Sequence, residues 1–284
     1  MRARSALEEM TDALTTHGLE HAVLPAGAEG AILVLPEHGR VLGLYPALRS
    51  SNAFWVNPAF LGSLAIGAKD DSWITPGGDR IWLAPRDEFL PDGAQTPPAV
   101  DPGHFGGRRD RAGYVMENKG EVRAWRSELS VRFRVLRRVQ PLDEQQLERA
   151  WGQTWLRRAG YTEEMQLSVS GPCPRDGMWL AQSMLLPPGS QARMARHPES
   201  RCACVVPAEA GHAQLVVRQC GVPAETAAAM ECRVDDSSGA VEATCFSPLL
   251  DRGQRVSWTT ATCVFAGREE EIRGMADRLM EGER

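Results

Sequence analysis

The chain has 284 residues, 43% of them hydrophobic, and 32 basic against 37 acidic side chains give a net charge of -5. A chain of this size and apolar content can bury a sizeable core without disulfide or metal staples. Its acidic balance argues against nucleic acid as the main partner, which usually wants a basic face.

The N-terminus places Leu7, Met10 and Leu14 at helical spacing between Ala6 and His17, ending at Gly18. This predicts a short amphipathic helix lying on the domain. No apolar stretch of signal-peptide or membrane-spanning type follows Met1, so the expectation is a cytoplasmic protein with no membrane partner. Its seven cysteines are then expected to be free thiols.

Ala31 to Leu35 and Arg40 to Tyr45 read as two strands joined at Glu37-His-Gly, a hairpin. The Pro/Gly-rich stretch from Pro91 to Gly107 reads as a long loop. From Glu128 to Val135, Leu129, Val131, Phe133 and Val135 alternate with polar residues, the period of a half-buried strand. In that reading Arg132, Arg134, Arg137 and Arg138 form a solvated basic stripe.

Asp143 with Gln146 resembles a capping box opening a helix over Glu144 to Trp151. Met165, Leu167 and Val169 alternate again, as do Val256 to Val264. Met230 to Val234 and Ala240 to Phe246 flank a turn and predict a second hairpin. The chain closes on an amphipathic helix over Arg268 to Met280. Many short strands and few helices predict one all-β sandwich or barrel domain spanning 1-284.

The segment from Ser72 to Pro85 carries the densest chemistry, with Gly77 and Gly78, the charged neighbours Asp79 and Arg80, and Trp73 and Trp82 on either side. Glycines permit a tight turn or a close approach to a ligand. Indoles stack on sugar C-H groups while charged groups bond hydroxyls, so the segment predicts a carbohydrate site. The other reading is an Asp79–Arg80 pair that pins a structural turn, with both indoles in the core.

Gly77-Gly-Asp-Arg80 with Trp82-Leu-Ala-Pro85 resembles a Gly-Gly-acidic-Arg-x-Trp-Leu-small-Pro signature of the galactose mutarotase-like (aldose 1-epimerase-like) superfamily. Gly239 to Pro248 is similar to that superfamily near the C-terminus. The resemblance implies a galactose mutarotase-like antiparallel β-sandwich, or supersandwich, with short N- and C-terminal helices. It also implies a small-molecule carbohydrate as partner, no cofactor, and Glu242 as catalytic base or hydroxyl acceptor. Asp79 and Arg80 would bond hydroxyls, and Trp82, Trp179 and Gln182 would contact the sugar. On its strand Glu242 shares a face with Phe246, which predicts a partly desolvated carboxylate with a raised pKa.

The superfamily's acid is a histidine on a central strand, and the comparable stretch here, Gly177 to Met184, has none. His104 on the long loop is the substitute candidate. The expectation is carbohydrate recognition with aldose epimerase chemistry, and the alternative is a non-catalytic binding or regulatory module. Cys202-x-Cys204 with His197 and His212 fits no zinc spacing, so no metal site is expected.

Overall fold

The structure, a computed structural model, describes residues 4–62, 75–90, 97–174, 177–195, 200–209, 211–221, 230–234, 239–250 and 255–281. Helix α1 (Ala6–Thr16) is followed by β1 (Ala22–Ala26), β2 (Gly30–Leu35), β3 (Arg40–Tyr45), the short α2 (Pro58–Gly62) and β4 (Asp79–Ala84). Then come the single turn α3 (Arg86–Phe89), β5 (Gly106–Arg109), β6 (Tyr114–Ala124), β7 (Leu129–Pro141) and α4 (Glu144–Trp151). After them run β8 (Arg157–Ser170), β9 (Trp179–Leu186), β10 (Gln191–Ala195), β11 (Ser200–Pro207) and β12 (His212–Gly221). Strands β13 (Met230–Val234), β14 (Val241–Phe246) and β15 (Arg255–Arg268) precede the closing helix α5 (Glu269–Glu281).

The strands form two antiparallel sheets, so the all-β expectation holds at the level of a sandwich. Sheet one has seven strands in the order β1-β2-β3-β4-β9-β14-β13, and sheet two has eight in the order β10-β11-β12-β15-β8-β7-β6-β5. Their facing sides share one apolar core that includes Ile32, Val34, Ile81, Leu83, Leu180 and Met184 from sheet one. Sheet two contributes Val131, Phe133, Val135, Met165, Leu167 and Val264.

Helices cover parts of the two outer faces. Ser5 caps α1 in a reciprocal box with Glu8, and Leu7 and Leu14 bury against Leu33, Leu35 and Leu42 of sheet one. Asp143 caps α4 in a box with Gln146, as its spacing predicts. Leu147 of that helix joins Ile272, Met275 and Ala276 of α5 over Leu215, Val217 and Phe265 of sheet two. Among the described residues no helix is long and apolar enough to cross a membrane.

Local chemistry explains the turns. Pro36–His38 makes a 3-10 turn closed by Gly39 at a φ of 58°, which joins the hairpin partners β2 and β3. β13 pairs with β14 from Met230↔Cys245 to Val234↔Val241, and residues 235–238, where the turn is expected, lie outside the described residues. The predicted long loop ends differently. Of its residues 91–96 are not described, Ala99–Gly103 make a wide turn broken at Asp101, whose φ of -139° and ψ of 110° are extended, and Gly106–Arg109 pair with β6 as an edge strand.

Gly77 and Gly78 open β4 with φ of 98° and 75°. A Cβ would lie 2.2 Å from the Trp55 carbonyl oxygen at Gly77 and 2.5 Å from that of Val41 at Gly78. Gly78→Ala is expected to lose about 1–3 kcal/mol from the backbone conformation alone, with the clash adding to it. Chemical denaturation midpoints check this, and an unchanged midpoint would remove the requirement for glycine.

The basic stripe predicted on β7 needs correction. Arg132 and Arg134 do face solvent beside Glu121 and Glu117, but the Arg137 side chain is 0% exposed. It occupies the inward phase after Val131, Phe133 and Val135, because side chains two apart in a strand share a face.

Candidate functional site

Two polar assemblies meet around β4, one on each face of its strand. Successive side chains of a strand point to opposite sides, so the neighbours Asp79 and Arg80 face away from each other. Asp79 turns inward, toward sheet two, and Arg80 outward.

The inner assembly is sealed between the sheets. Asp79 Oδ2 accepts from Tyr161 Oη at 2.6 Å, Gln182 Nε2 at 2.9 Å and Arg218 Nη2 at 2.5 Å. Gln182 Nε2 also donates to Glu163 Oε2 at 2.6 Å, and Arg137 Nε donates to Glu163 Oε1. Arg218 Nε donates to Thr262 Oγ1 at 2.9 Å, and Thr260 Oγ1 donates to Gln182 Oε1 at 3.1 Å.

Burial pushes the Glu163 carboxyl upward, against the pull of Arg137. It lifts the Tyr161 hydroxyl well above its ordinary value, with the Asp79 charge adding to the effect. Two carboxylates and two guanidiniums thus tie β4 and β9 of sheet one to β7, β8, β12 and β15 of sheet two. Buried charges persist only when paired and hydrogen-bonded in this way. Asp79 and Gln182 therefore bond protein partners here, and as direct sugar contacts they are corrected.

The outer assembly lies on β4, β9 and β14. Arg80 Nη2 donates to Glu242 Oε1 at 2.8 Å and Arg80 Nε to the same oxygen at 3.3 Å, across 162 residues of chain. Register shows how the two meet. Arg80 pairs with Ser183 of β9, and Ser183 with Thr244 of β14, so Arg80 reaches across an entire intervening strand. Two strand spacings come to about 10 Å, a span that a long arginine covers over the short side chain of Ser183. The Arg80 and Glu242 side chains are 18% and 12% exposed.

Arg80 is held from behind. Its Nη1 donates to Asp101 Oδ2 at 3.2 Å, and Arg40 donates to the other oxygen of Asp101. Arg40 Nη1 also donates to the Gly77 carbonyl at 2.7 Å, which links this array to the glycine turn. Burial opposes the charge on Arg80, but Glu242 and Asp101 outweigh that effect and raise its pKa.

For Glu242, burial pushes the carboxyl up, while Arg80's charge, the hydrogen bonds from Arg80 and Ser183, and the charge of Arg86 pull it down further. The net result lies below the usual carboxylate range, opposite to the raised value expected from burial beside Phe246. A partner guanidinium at 2.8 Å is the reason.

Aromatic rings border the pair. The Trp82 and Phe246 ring centroids are 6.0 Å apart, nearly perpendicular at 83°, a geometry that the aromatic quadrupole favours. Trp82 Nε1 donates to Ser183 Oγ at 2.9 Å, and Ser183 Oγ bonds Thr244 Oγ1 at 2.7 Å. Trp82 is buried, and the half-buried Trp179 packs on the same apolar patch with Ala84 and Ala181.

Four of the expected site residues therefore share one face: Arg80, Glu242, Trp82 and Trp179. His104 is exposed, its backbone N–H donates to Asn118 Oδ1 at 3.4 Å, and among the described residues no hydrogen bond or ion pair joins its ring to Arg80 or Glu242. Trp73 and His197 lie outside the described residues. Cys202 and Cys204 point the same way from β11, with their sulfurs 3.3 Å apart in the core, and all seven cysteines are free thiols.

Asp101, Ser183 and Thr244 escaped the sequence reading. A serine and a threonine within apolar strands carry no local mark of function. Asp101 had only its neighbour Pro102, a signal of a turn.

His38 lies beside this array, buried, with its pKa lowered from 6.5 to about 4 by burial first and then by the charge of Arg40. In the unfolded chain it protonates near the upper value, in the folded chain only near the lower one. Stability is accordingly unaffected by His38 above pH 6.5 and falls as pH drops from there toward pH 4, where the loss levels off. The loss amounts to about 3 kcal/mol. His38→Gln is expected to flatten that part of the stability-pH curve in urea titrations, and an unaltered slope would show that other groups set it.

No known protein-family model matches the chain, and no curated protein matches it.

Proposed function

We propose that this protein recognises a carbohydrate on the outer face of β4, β9 and β14. The observation that supports the reading most is the Arg80–Glu242 pair, partly exposed and set beside indoles on one sheet face. An ionised carboxylate accepts hydrogen bonds from sugar hydroxyls, and the remaining guanidinium N–H groups donate to hydroxyl or ring oxygens. The half-buried Trp179 supplies apolar surface for the C–H side of a pyranose, and the buried Trp82 backs it. The superfamily resemblance of the Gly77 to Pro85 segment favours the same ligand class.

A mutarotase-type reaction on this face is the second reading, favoured by one feature. Glu242 is held as a carboxylate, the form that accepts the proton of an anomeric hydroxyl. Ring opening also needs a proton on the ring oxygen. Ser183 and Thr244, the hydroxyls bonded beside Glu242, are weak acids, and the Arg80 pKa is raised. The balance of these groups favours binding over turnover.

Saturation-transfer NMR with a panel of free aldoses tests both readings at once. Binding is expected as saturable transfer to a subset of the sugars, and catalysis would add anomer exchange faster than in buffer. A panel without any saturable transfer would overturn the carbohydrate reading.

A further inference from the structure

A second region of the molecule, on the outer side of sheet two, has two cavities around an exposed indole. We propose that the saddle around Trp155, between α4, α5 and the β12 and β15 ends, is a binding site for an acidic oligosaccharide. It rests on different residues from the outer-face site and stands whether or not that site binds sugar.

Trp155 is 83% exposed on the connection between α4 and β8. The connection is braced. Arg158 Nη1 donates to the Gly152 carbonyl at 2.7 Å and its guanidinium pairs with Glu144, while the Leu156 N–H donates to Thr154 Oγ1 at 3.2 Å. Leu156 itself packs into the apolar cluster beneath α5. The indole is thus presented by a fixed turn, and preorganised aromatic surface binds with little ordering cost.

Two cavities flank the indole and share it as a wall, one of about 770 Å³ and one of about 630 Å³. Each falls within the general size range of small-molecule sites. Arg149, Arg201 and Arg278 line the first, and Arg49, Arg157 and Arg268 the second. Among the described residues these six guanidiniums face Glu270, Glu271 and Glu209, and Glu29 pairs with Arg157 at 3.8 Å, which leaves four carboxylates to six guanidiniums. Among the described residues neither Arg149 nor Arg278 has a carboxylate at ion-pair distance. A local excess of positive charge in a chain of net charge -5 points to an anionic ligand.

The chemistry narrows the class. Guanidinium forks match carboxylates two bonds at a time, and an exposed indole stacks on a pyranose face. A single-stranded nucleic acid would use the same two features. It offers, however, a phosphate per nucleotide to the three glutamates and few hydroxyl donors for them, whereas saccharide hydroxyls donate to carboxylates and to amides such as Gln153 and Gln219. Cavities on both sides of one indole fit a ligand longer than one ring.

Calorimetric titration of the 284-residue chain with trigalacturonate, maltotriose and oligouridylate tests the assignment. Trigalacturonate is expected to bind saturably, more weakly as salt rises, with at least tenfold loss in Trp155→Ala and in Arg278→Gln. The exposed Trp155→Ala variant should keep its melting temperature within about 2 °C, and Glu242→Gln should leave this binding unchanged. Absence of trigalacturonate binding, or Trp155-dependent binding of maltotriose as tight as that of trigalacturonate or of oligouridylate tighter than it, would each overturn the proposal. So would trigalacturonate binding that survives Trp155→Ala and fails in Glu242→Gln, which would place the ligand on the outer face. Sedimentation that shows a dimer dissociated by Trp155→Ala would overturn it too, by making the saddle a self-interface.

Discussion

Asp79→Ala is expected to destabilise the protein by about 3–5 kcal/mol, the usual cost of removing one partner from a buried ionic network. Asp79 is 0% exposed and accepts three hydrogen bonds on one oxygen. Without it, Arg218 and Arg137 remain buried with Glu163 as the sole neighbouring carboxylate of the inner assembly. The melting temperature should drop by roughly 6–20 °C, at 2–4 °C per kcal/mol for a domain of this size class. A double-mutant cycle isolates the cause. Arg218→Met should cost much less in the Asp79→Ala background than in the parent, because the unpaired cation is gone. Additive losses from the two substitutions would show that Asp79 does not act through Arg218.

Glu242→Gln is the second large effect, and it acts on binding. A hydrogen bond to a charged group contributes about 1.5–3 kcal/mol, so sugar affinity on the outer face should weaken about 10- to 150-fold. Stability should also fall, since Arg80 then relies on Asp101, which already serves Arg40. The pH dependence has a definite sign. The Glu242 carboxyl lies below its unfolded value, so its contribution is present above that value and is lost as pH falls through the lower folded one. In the Gln variant that acid-side loss should disappear from urea midpoints, and sugar titrations should show the weakened affinity. Parent-like affinity in the variant would detach Glu242 from recognition.

The sandwich was legible chiefly where strands such as β7 and β8 keep period two. Val241, Ala243 and Cys245 do face the core and Glu242, Thr244 and Phe246 the outer side, as alternation demands. The same rule, applied more strictly, would have placed two residues that were misread. Arg137 is in phase with Val135 and Val139, hence inside. Asp79 and Arg80 are adjacent, hence on opposite faces.

Charge overrode pattern in both cases, because a lone arginine or aspartate reads as solvated unless its partners are known. Those partners, Glu163 for Arg137 and Tyr161, Gln182 and Arg218 for Asp79, come from other strands, and no local window contains them. The direction of the Glu242 shift failed for a related reason. Burial was inferable from Phe246, but the guanidinium that outweighs it arrives from 162 residues away. Trp155 carried no sequence signal either, since exposure of an indole is a property of the folded surface.

The interior polar array has a mechanical meaning for the face above it. Apolar packing is non-directional, whereas hydrogen bonds and ion pairs from Asp79 and Gln182 to four strands of the opposite sheet add directional restraint to β4 and β9. The backs of those strands are the floor on which Arg80, Ser183 and Trp82 stand. An incoming sugar would therefore meet a surface already shaped before its arrival, with complex formation limited by encounter and desolvation rather than by rearrangement of the floor.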